Sequence, residues 1–236
     1  VTGRLDEFAS KAKVIHIDID PTSIAKLVVA DYPIVGDLKL TVEAMIEDSE
    51  NYEINDFSNW VELLKDYREK EPLRYIDTDD LIKPQWPIQR VGKILGDNAI
   101  ISTDVGQHQM WTAQFFPFSH PRQWITSGGL GTMGFGLPAA LGAARAFKGT
   151  NRVVVNFTGD GSILMNIQEL MTCSEYELPV INIVLNNNYL GMVRQWQTMF
   201  YENRLAETDL SAQPKFKMLA EAFNCLGYTV STKAEF

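Results

Sequence analysis

Residues 153–162 read VVVNFTGDGS, and this stretch decides the fold of the chain. Its first five residues are mostly apolar and β-branched, which is typical of a buried strand. After the Gly-Asp-Gly turn, apolar residues recur at the spacing of a helix face, and these are Ile163, Leu164, Ile167, Leu170 and Met171. A second apolar run, residues 180–185, leads directly into three asparagines, residues 186–188. The pattern therefore predicts a strand, a tight turn, a helix and a second strand, which together make a parallel crossover unit.

The two polar clusters of this unit follow the carboxyl ends of its strands, where open α/β sheets bind ligands. Asp160 offers one carboxylate and Asn187 one amide oxygen, while Gly161 allows a close approach of the backbone. These groups, next to a helix N-terminus that favours anions, are typical of a Mg²⁺ ion held jointly by protein and a diphosphate. The alternative is a pair of ordinary turns. The 24 residues between the clusters (162–185), with a strand on each side, favour the metal site.

Composition excludes several classes of protein. The 236 residues are 45% hydrophobic, which is enough for one large domain or one and a half. A net charge of −9 argues against binding to nucleic acid or to an anionic membrane, and no apolar run approaches the roughly 20 residues of a membrane span. Cys173 and Cys225 cannot make a disulfide framework or a zinc site, and no signal peptide is visible, so we expect a reducing, cytoplasmic compartment.

The amino-terminal part contains a second pattern of strands that end in acidic residues. Residues 13–20 (KVIHIDID) predict a strand that ends near Asp18 and Ile19, and Val35-Gly36-Asp37 repeats the pattern. An acid at such a position can bind the ribose of a dinucleotide, although two ordinary Asp turns are the alternative. Residues 49–80 are polar, with one helical stretch from Trp60 to Tyr67, and predict a surface connector.

Two further stretches carry polar or glycine-rich turns. The strand of residues 99–104 precedes Val105-Gly106-Gln107-His108, which opens a helix; there His108 could meet a phosphate or serve as a cap or packed ring. Residues 129–134 read GLGTMG, a literal dinucleotide-binding pattern. We reject that interpretation because no acidic residue follows between Gly129 and Phe157 to bind a ribose.

The longer motifs resemble those of thiamine-diphosphate enzymes and, among these, of the catalytic subunits of acetolactate (acetohydroxyacid) synthases. They are VGQHQMW (105–111), ITSGGLGTMG (125–134), the GDG and NN pair, and GMVRQWQ (191–197). The resemblance covers nearly the whole chain and is densest from residue 97 to 201. We therefore expect an α/β fold with a doubly wound parallel sheet in residues 81–236, truncated at its C-terminal end. Residues 49–80 would be a linker, and residues 1–48 the last part of a Rossmann-like, FAD-binding domain.

The resemblance also implies three cofactors, namely thiamine diphosphate, Mg²⁺ and FAD. Thiamine diphosphate would be bound by Val105, Gly106, Gln107, His108, Gly131, Met133, Gly159, Gly161, Ser162, Leu190, Gly191 and Met192. In this assignment the Gly131 carbonyl receives the 4′-amino group, and Met133 bends the cofactor. Mg²⁺ would be held by Asp160, Asn187 and the backbone carbonyl of Tyr189. Asp18, Ile19 and Asp37 would contact the adenosine half of FAD, and Met192 with Trp196 would line the substrate channel.

The activity implied by the resemblance is that of a transferase in branched-chain amino-acid synthesis. It decarboxylates pyruvate and joins the product to a second pyruvate or to 2-ketobutyrate. The expected assembly is a homodimer or homotetramer, with a possible regulatory small subunit.

The chain lacks an initiating methionine and stops soon after a strand-like segment (228–230), so we expect it to be part of a longer polypeptide. The activating glutamate of the family lies in the N-terminal domain of a neighbouring subunit, so we expect no catalytic residue here and no activity of this chain alone. A pyruvate oxidase, a glyoxylate carboligase or a non-catalytic dinucleotide-binding module are the alternatives.

Overall fold

Parallel strands, arranged in two separate sheets, form the framework of the chain. The computed structural model describes residues 3–53 and 55–236. The chain divides into two compact units between Pro72 and Leu73. No helix in the described ranges is long and apolar enough to cross a lipid bilayer.

The first unit contains a two-stranded parallel sheet and two helices. Its elements are β1 (Ile15–Asp18), β2 (Tyr32–Val35), α1 (Leu38–Ser49) and α2 (Ser58–Lys70). Asp18 stands opposite Val35 in the register, so both strands end at the same edge. Asp37 caps α1, because its side chain accepts a hydrogen bond of 3.0 Å from the amide of Leu40. None of the described side chains of this unit is fully buried.

The second unit contains a four-stranded parallel sheet in the order β4-β3-β5-β6. Its elements are α3 (Gln85–Leu95), β3 (Ala99–Thr103), α4 (Gln107–Phe115), β4 (Trp124–Thr126), α5 (Gly136–Ala146), β5 (Val153–Gly159), α6 (Asp160–Ile163), α7 (Glu169–Glu175), β6 (Val180–Leu185), α8 (Gly191–Phe200) and α9 (Phe216–Ala222). The strands and helices alternate along the chain, which is why the sheet is parallel.

Alternate residues of the central strands point into two different cores. Ile100 and Val154 pack with α5, α6 and α7 in one cluster of buried side chains. Their neighbours Ile101 and Val155 pack with α3 and with Phe116 in a second cluster. Because helices cover both faces of the sheet, both central strands are buried along nearly their whole length, and their apolar residues do not alternate with exposed polar ones. The predicted α/β fold with a doubly wound parallel sheet is confirmed.

The order of the strands identifies the edge where a ligand site belongs. From β3 the chain continues to β4 on one side, and later to β5 on the other side. The carboxyl ends of β3 and β5 therefore flank the point at which the winding reverses, where sheets of this kind leave a crevice.

Two local expectations are wrong. The single helix predicted after the Gly-Asp-Gly turn is broken into α6, a 3₁₀ turn (Leu164–Asn166) and α7. The break brings the side-chain amide of Asn166 to the carbonyl of Gly134, to which it donates a hydrogen bond of 2.7 Å. The strand-like segment 228–230 is not a strand, because no other strand pairs with it within the described residues.

Candidate diphosphate and metal site

Asp160 is a buried carboxylate at the carboxyl end of β5. It is the first residue of α6, and only 2% of its surface is exposed. Its Oδ1 accepts a hydrogen bond of 3.1 Å from the amide of Gly161, and its Oδ2 accepts one from Nε2 of Gln213. No group of three or more His, Cys, Asp or Glu side chains in the described part of the chain could hold a metal ion. A cation at this edge would therefore depend on Asp160 together with neutral oxygen ligands.

The asparagine loop lies beside Asp160, at the carboxyl end of the neighbouring strand. Gly159 and Leu185 are paired in the register of β5 and β6, so the two loops start side by side. Oδ1 of Asn187 accepts a hydrogen bond of 3.0 Å from the amide of Tyr189, which folds the loop back on itself. Asn188 has a φ of 61°, a left-handed conformation that asparagine tolerates better than most residues. The structure thus brings the predicted ligands Asp160 and Asn187 to adjacent strand ends.

A short antiparallel bridge between Tyr189 and Asp209 fixes the end of the asparagine loop. The amide of Leu190 donates to the carbonyl of Thr208 (2.9 Å), and the amide of Leu210 donates to the carbonyl of Asn188 (2.8 Å). The bridge uses the groups on either side of Tyr189 and leaves the carbonyl of Tyr189 itself outside the pairing. The aromatic ring of Tyr189 lies 3.9 Å from the guanidinium of Arg194, so its side chain is engaged elsewhere.

The same bridge alters one detail of the predicted diphosphate site. Because the Leu190 amide is bonded to Thr208, it is occupied in the structure and does not point to a free ligand position. Gly191 is the first residue of α8, so its amide is among those that a helix leaves without an internal partner. Of the two predicted backbone donors, Gly191 is the one that the fold leaves available.

His108 and Gln107 begin α4, directly opposite the end of β5. A β-carbon built at Gly159 would lie 3.1 Å from Cε1 of His108, and one at Gly106 would lie 2.6 Å from the same atom, so both glycines make room for the ring. Burial lowers the pKa of His108 to about 4, with the backbone carbonyl of Asp104 opposing the shift. The ring is therefore neutral at physiological pH, and its buried Nε2 has no hydrogen-bond partner among residues 3–53 and 55–236.

A cavity of about 240 Å³ lies between these loops. Its lining residues are Gln107, Asn187, Tyr189, Gly191, Arg194, Gln195, Thr198 and Met199. Nε2 of Gln107 donates a hydrogen bond of 3.0 Å to Oε1 of Gln195, which connects α4 to α8 across the cavity. A β-carbon at Gly191 would collide with Oε1 of Gln107 and lie 2.8 Å from Nδ2 of Asn187, so a side chain there would displace the two amide groups that line the cavity.

The glycine-rich loop between β4 and α5 closes the other side of the site. Gly131 has a φ of 73°, which favours glycine. Cε of Met133 lies 3.9 Å from the position of a β-carbon at Gly161, so this loop reaches the Gly-Asp-Gly turn. The hydroxyl of Ser162 donates to the carbonyl of Val105 (3.3 Å) and connects that turn to the loop after β3. The predicted residues of the diphosphate and pyrimidine regions therefore meet at one edge of the sheet.

Asp104 is a residue of this edge that the sequence did not identify as functional. It is fully buried and accepts hydrogen bonds from the hydroxyl of Thr158 (2.7 Å) and the amide of Gly136 (3.0 Å). It therefore joins the ends of β3 and β5 to the start of α5. Its position directly after a buried strand was the available signal, but such an Asp is common in ordinary turns.

The predicted substrate residues lie on α8, and the predicted flavin residues lie in the first unit. Trp196 is 58% exposed and makes an edge-to-face contact with Phe200, while Met192 is half-buried one turn away. Asp18 is the last residue of β1, where it accepts a hydrogen bond from the amide of Asp20 (2.8 Å), and Asp37 follows the adjacent strand β2. Ile19 is 72% exposed. The structure does not test the substrate role of the α8 residues or the flavin role of the first unit, so both roles stay predictions.

The chemistry of the edge fits a magnesium diphosphate. One carboxylate, one amide oxygen and one backbone carbonyl outside the pairing of the bridge make a set of hard oxygen ligands, which Mg²⁺ completes with water and phosphate oxygens. The first amides of α4 and α8 can donate to phosphate oxygens. Nε2 of the neutral His108 ring can donate only in the tautomer that carries the proton on Nε2, because a proton on Nδ1 leaves Nε2 an acceptor. The glycine at position 191 and the cavity beside it provide the space.

Comparison with known proteins identifies the family of the cofactor-binding domain. Residues 104–236 match the family model of the thiamine pyrophosphate enzyme, C-terminal TPP binding domain, and residues 1–45 match that of the central domain. The chain is 47% identical to acetolactate synthase isozyme 3 large subunit of Escherichia coli, over 98% of this chain and 40% of that protein. It is 44% identical to the acetolactate synthase large subunit of Haemophilus influenzae, over 99% and 41%. It is 45% identical to the acetolactate synthase of Mycobacterium bovis, over 96% and 38%.

The chain spans about two fifths of the length of these relatives. The relatives confirm the resemblance to acetolactate synthases, and one family model covers more than half of the chain. The chain belongs to the thiamine pyrophosphate enzymes and contains their C-terminal cofactor-binding domain.

Proposed function

We propose that this chain is the cofactor-binding part of an acetolactate synthase large subunit, a transferase that joins two 2-oxoacids. The observation that carries the proposal is the pair of adjacent strand ends at which buried Asp160 meets Asn187 and Tyr189. The similarity to three named acetolactate synthases over nearly all of this chain supports the choice within the family.

In this proposal the metal shell consists of the Asp160 carboxylate, the Asn187 amide oxygen and the Tyr189 carbonyl. The diphosphate is bound by Gln107, His108, Gly161, Ser162 and the amide of Gly191. When bound, thiamine diphosphate supplies a carbon nucleophile for the carbonyl of a 2-oxoacid and takes up the negative charge left by the loss of CO₂. In this proposal the ring of His108 carries its single proton on Nε2 and donates it to a phosphate oxygen, so that it adds no charge to the site.

Other residues determine the shape of the site. The loop of Gly131 and Met133 approaches the Gly-Asp-Gly turn, which suits a wedge that keeps the cofactor bent. The exposed ring of Trp196 offers a flat apolar wall for the side chain of the second substrate, and favours the ethyl group of 2-ketobutyrate over the methyl group of pyruvate.

The first unit would bind FAD through Asp18, Ile19 and Asp37 at its two strand ends. We further propose a homodimer or homotetramer with a regulatory small subunit. Both cysteines are free, which suits the reducing conditions of the cytoplasm.

The test is calorimetric titration with thiamine diphosphate, with and without Mg²⁺, using the natural polypeptide that carries this chain. Asp160→Ala is expected to abolish the Mg²⁺-dependent binding, because it removes the only charged ligand. Glu175→Ala is the matched control, since Glu175 is an exposed carboxylate at the end of α7 in the same crossover unit. Cofactor binding by Asp160→Ala equal to that of the parent would refute the metal assignment.

The product distinguishes the proposed reaction from related ones. Acetolactate formation from pyruvate, with the flavin spectrum unchanged during turnover, is expected. Bleaching of the flavin by pyruvate in step with turnover would instead indicate an oxidase.

A further inference from the structure

Gln213 is a polar side chain at the candidate metal site that no predicted role uses. It lies in the segment between the Tyr189–Asp209 bridge and α9. Its Nε2 donates a hydrogen bond to Oδ2 of Asp160, across 53 positions of the sequence. Its Oε1 is buried and has no hydrogen-bond partner in the part of the chain that the structure describes.

The backbone that precedes Gln213 contacts both loops that carry predicted metal ligands, namely the asparagine loop and the Gly-Asp-Gly turn. The bridge joins Thr208 and Leu210 to the asparagine loop through two backbone hydrogen bonds. A β-carbon at Gly161 would lie 3.0 Å from Cδ1 of Leu210 and 2.9 Å from Cδ2 of Leu190, so this segment packs directly on the Gly-Asp-Gly turn. Residues 208–213 therefore form one wall of the site, and Gln213 is the residue of this wall that contacts the Asp160 carboxylate.

Within the described residues only one end of the Gln213 amide has a hydrogen-bond partner, and this difference points to a ligand for the other end. A buried acceptor without a partner is uncommon in folded proteins, because it has lost water without replacing it. Here the orphan acceptor is part of the same amide group that donates to Asp160. Mg²⁺ bound to proteins usually retains several water molecules, and each of these is a hydrogen-bond donor.

We propose that Gln213 is a positioning residue of the magnesium site. Its Nε2 holds the Asp160 carboxylate in its metal-binding orientation, and its Oε1 accepts a hydrogen bond from a water molecule on the metal. Groups that orient metal ligands in this way commonly contribute 10–100-fold to metal affinity. This inference rests on the proposed function, because it requires Asp160 to bind Mg²⁺.

The decisive measurement is the affinity for Mg²⁺ at saturating thiamine diphosphate, followed by near-ultraviolet circular dichroism of the natural polypeptide. Gln213→Met keeps the size of the side chain but removes both donor and acceptor, and is expected to weaken Mg²⁺ binding about 10–100-fold. Gln197→Met is the matched control. Gln197 holds Ala206, two residues before this wall, through two hydrogen bonds (2.9 and 3.2 Å), but no hydrogen bond joins it to Asp160 in the described structure. Its Mg²⁺ affinity is expected to stay within about threefold of the parent.

A second variant keeps the test decisive if Gln213→Met does not fold. Gln213→Asn keeps the amide but shortens the side chain by one methylene, so it can no longer both hold Asp160 and reach a water molecule on the metal. Mg²⁺ is therefore expected to raise its melting temperature less than it raises that of the parent. Equal Mg²⁺ affinities of the parent, Gln213→Met and Gln197→Met would overturn the inference, and so would equal losses in both methionine variants. An identical Mg²⁺-induced shift in Gln213→Asn and the parent would also overturn it.

The outcome separates this inference from the function on which it rests. If the parent binds thiamine diphosphate with no dependence on Mg²⁺, the proposed function itself fails. If the parent depends on Mg²⁺ through Asp160 while Gln213→Met binds Mg²⁺ as the parent does, only the role of Gln213 fails.

Discussion

The buried ring of His108 is expected to make the stability of the protein depend on pH. Burial lowers the pKa of His108 to about 4 in the folded protein, against 6.5 for an ordinary histidine. As pH falls below 6.5, the unfolded chain binds a proton that the folded protein does not bind. The stability that His108 contributes is therefore fully present above pH 6.5 and is lost as the pH falls towards 4.

The magnitude follows from the difference between the two pKa values. Each unit corresponds to about 1.4 kcal/mol, so lowering the pH from about 7.5 to about 4.5 should reduce the free energy of unfolding by about 2.5 kcal/mol through this residue alone. Carboxylates also titrate in this range, so the parent must be compared with a variant whose side chain does not titrate. His108→Gln serves this purpose.

The assay is urea unfolding of both proteins, free of cofactor and metal, at a series of pH values. The difference in unfolding free energy between parent and His108→Gln should shrink by about 2.5 kcal/mol from neutral to acidic pH. An NMR titration of the ring provides an independent reading. Parallel pH profiles for the two proteins, or a ring that titrates near pH 6.5, would refute the burial argument.

Two further predictions concern α5 and α8. Gly136→Ala should destabilise the protein by about 1–3 kcal/mol, because the new β-carbon would lie 2.6 Å from both the Asp104 amide nitrogen and Oδ1 of Asn156. Gly142→Ala in the same helix meets nothing within 4 Å and should stabilise it by about 0.5–1 kcal/mol; equal urea midpoints for the two variants would contradict the packing of α5. Trp196→Ala should reduce the preference for 2-ketobutyrate over pyruvate about tenfold in a competition assay, because one methylene in an apolar pocket contributes about 1–3 kcal/mol. An unchanged product ratio would assign Trp196 to another surface.

Local patterns were sufficient for most of the second unit. The β-branched run of β5 and the apolar run of β6 predicted both strands, because parallel strands that are buried on both faces appear in a sequence as nearly continuous apolar runs. The helix after Asp160 was predicted too long. The spacing of apolar residues carries no information about the hydrogen bond that Asn166 donates to the carbonyl of Gly134, 32 positions earlier in the chain.

The candidate site was predictable only where its residues stand next to regular elements. Asp160 and Asn187 follow strands, and the parallel topology brings them together without further information. Gln213 follows no strand, and only the Tyr189–Asp209 bridge carries it to Asp160. The burial that keeps His108 neutral likewise involves Gly159, a residue at the end of β5 that lies against the imidazole ring. Such contacts between distant segments have no periodic signature.

The separation of the second unit into two cores has a consequence for how its sequence can vary. Ile100 and Ile101 are neighbours in the chain, yet their side chains belong to clusters on opposite faces of the sheet. A volume change at Ile100 can be accommodated by α5 or α7, and one at Ile101 by α3. Mutations in separate clusters should add independently, whereas those within a cluster should couple. Compensatory substitutions are therefore expected to arise within one cluster at a time. The composition of each cluster can then change independently of the other, while the loops at the strand ends stay unchanged.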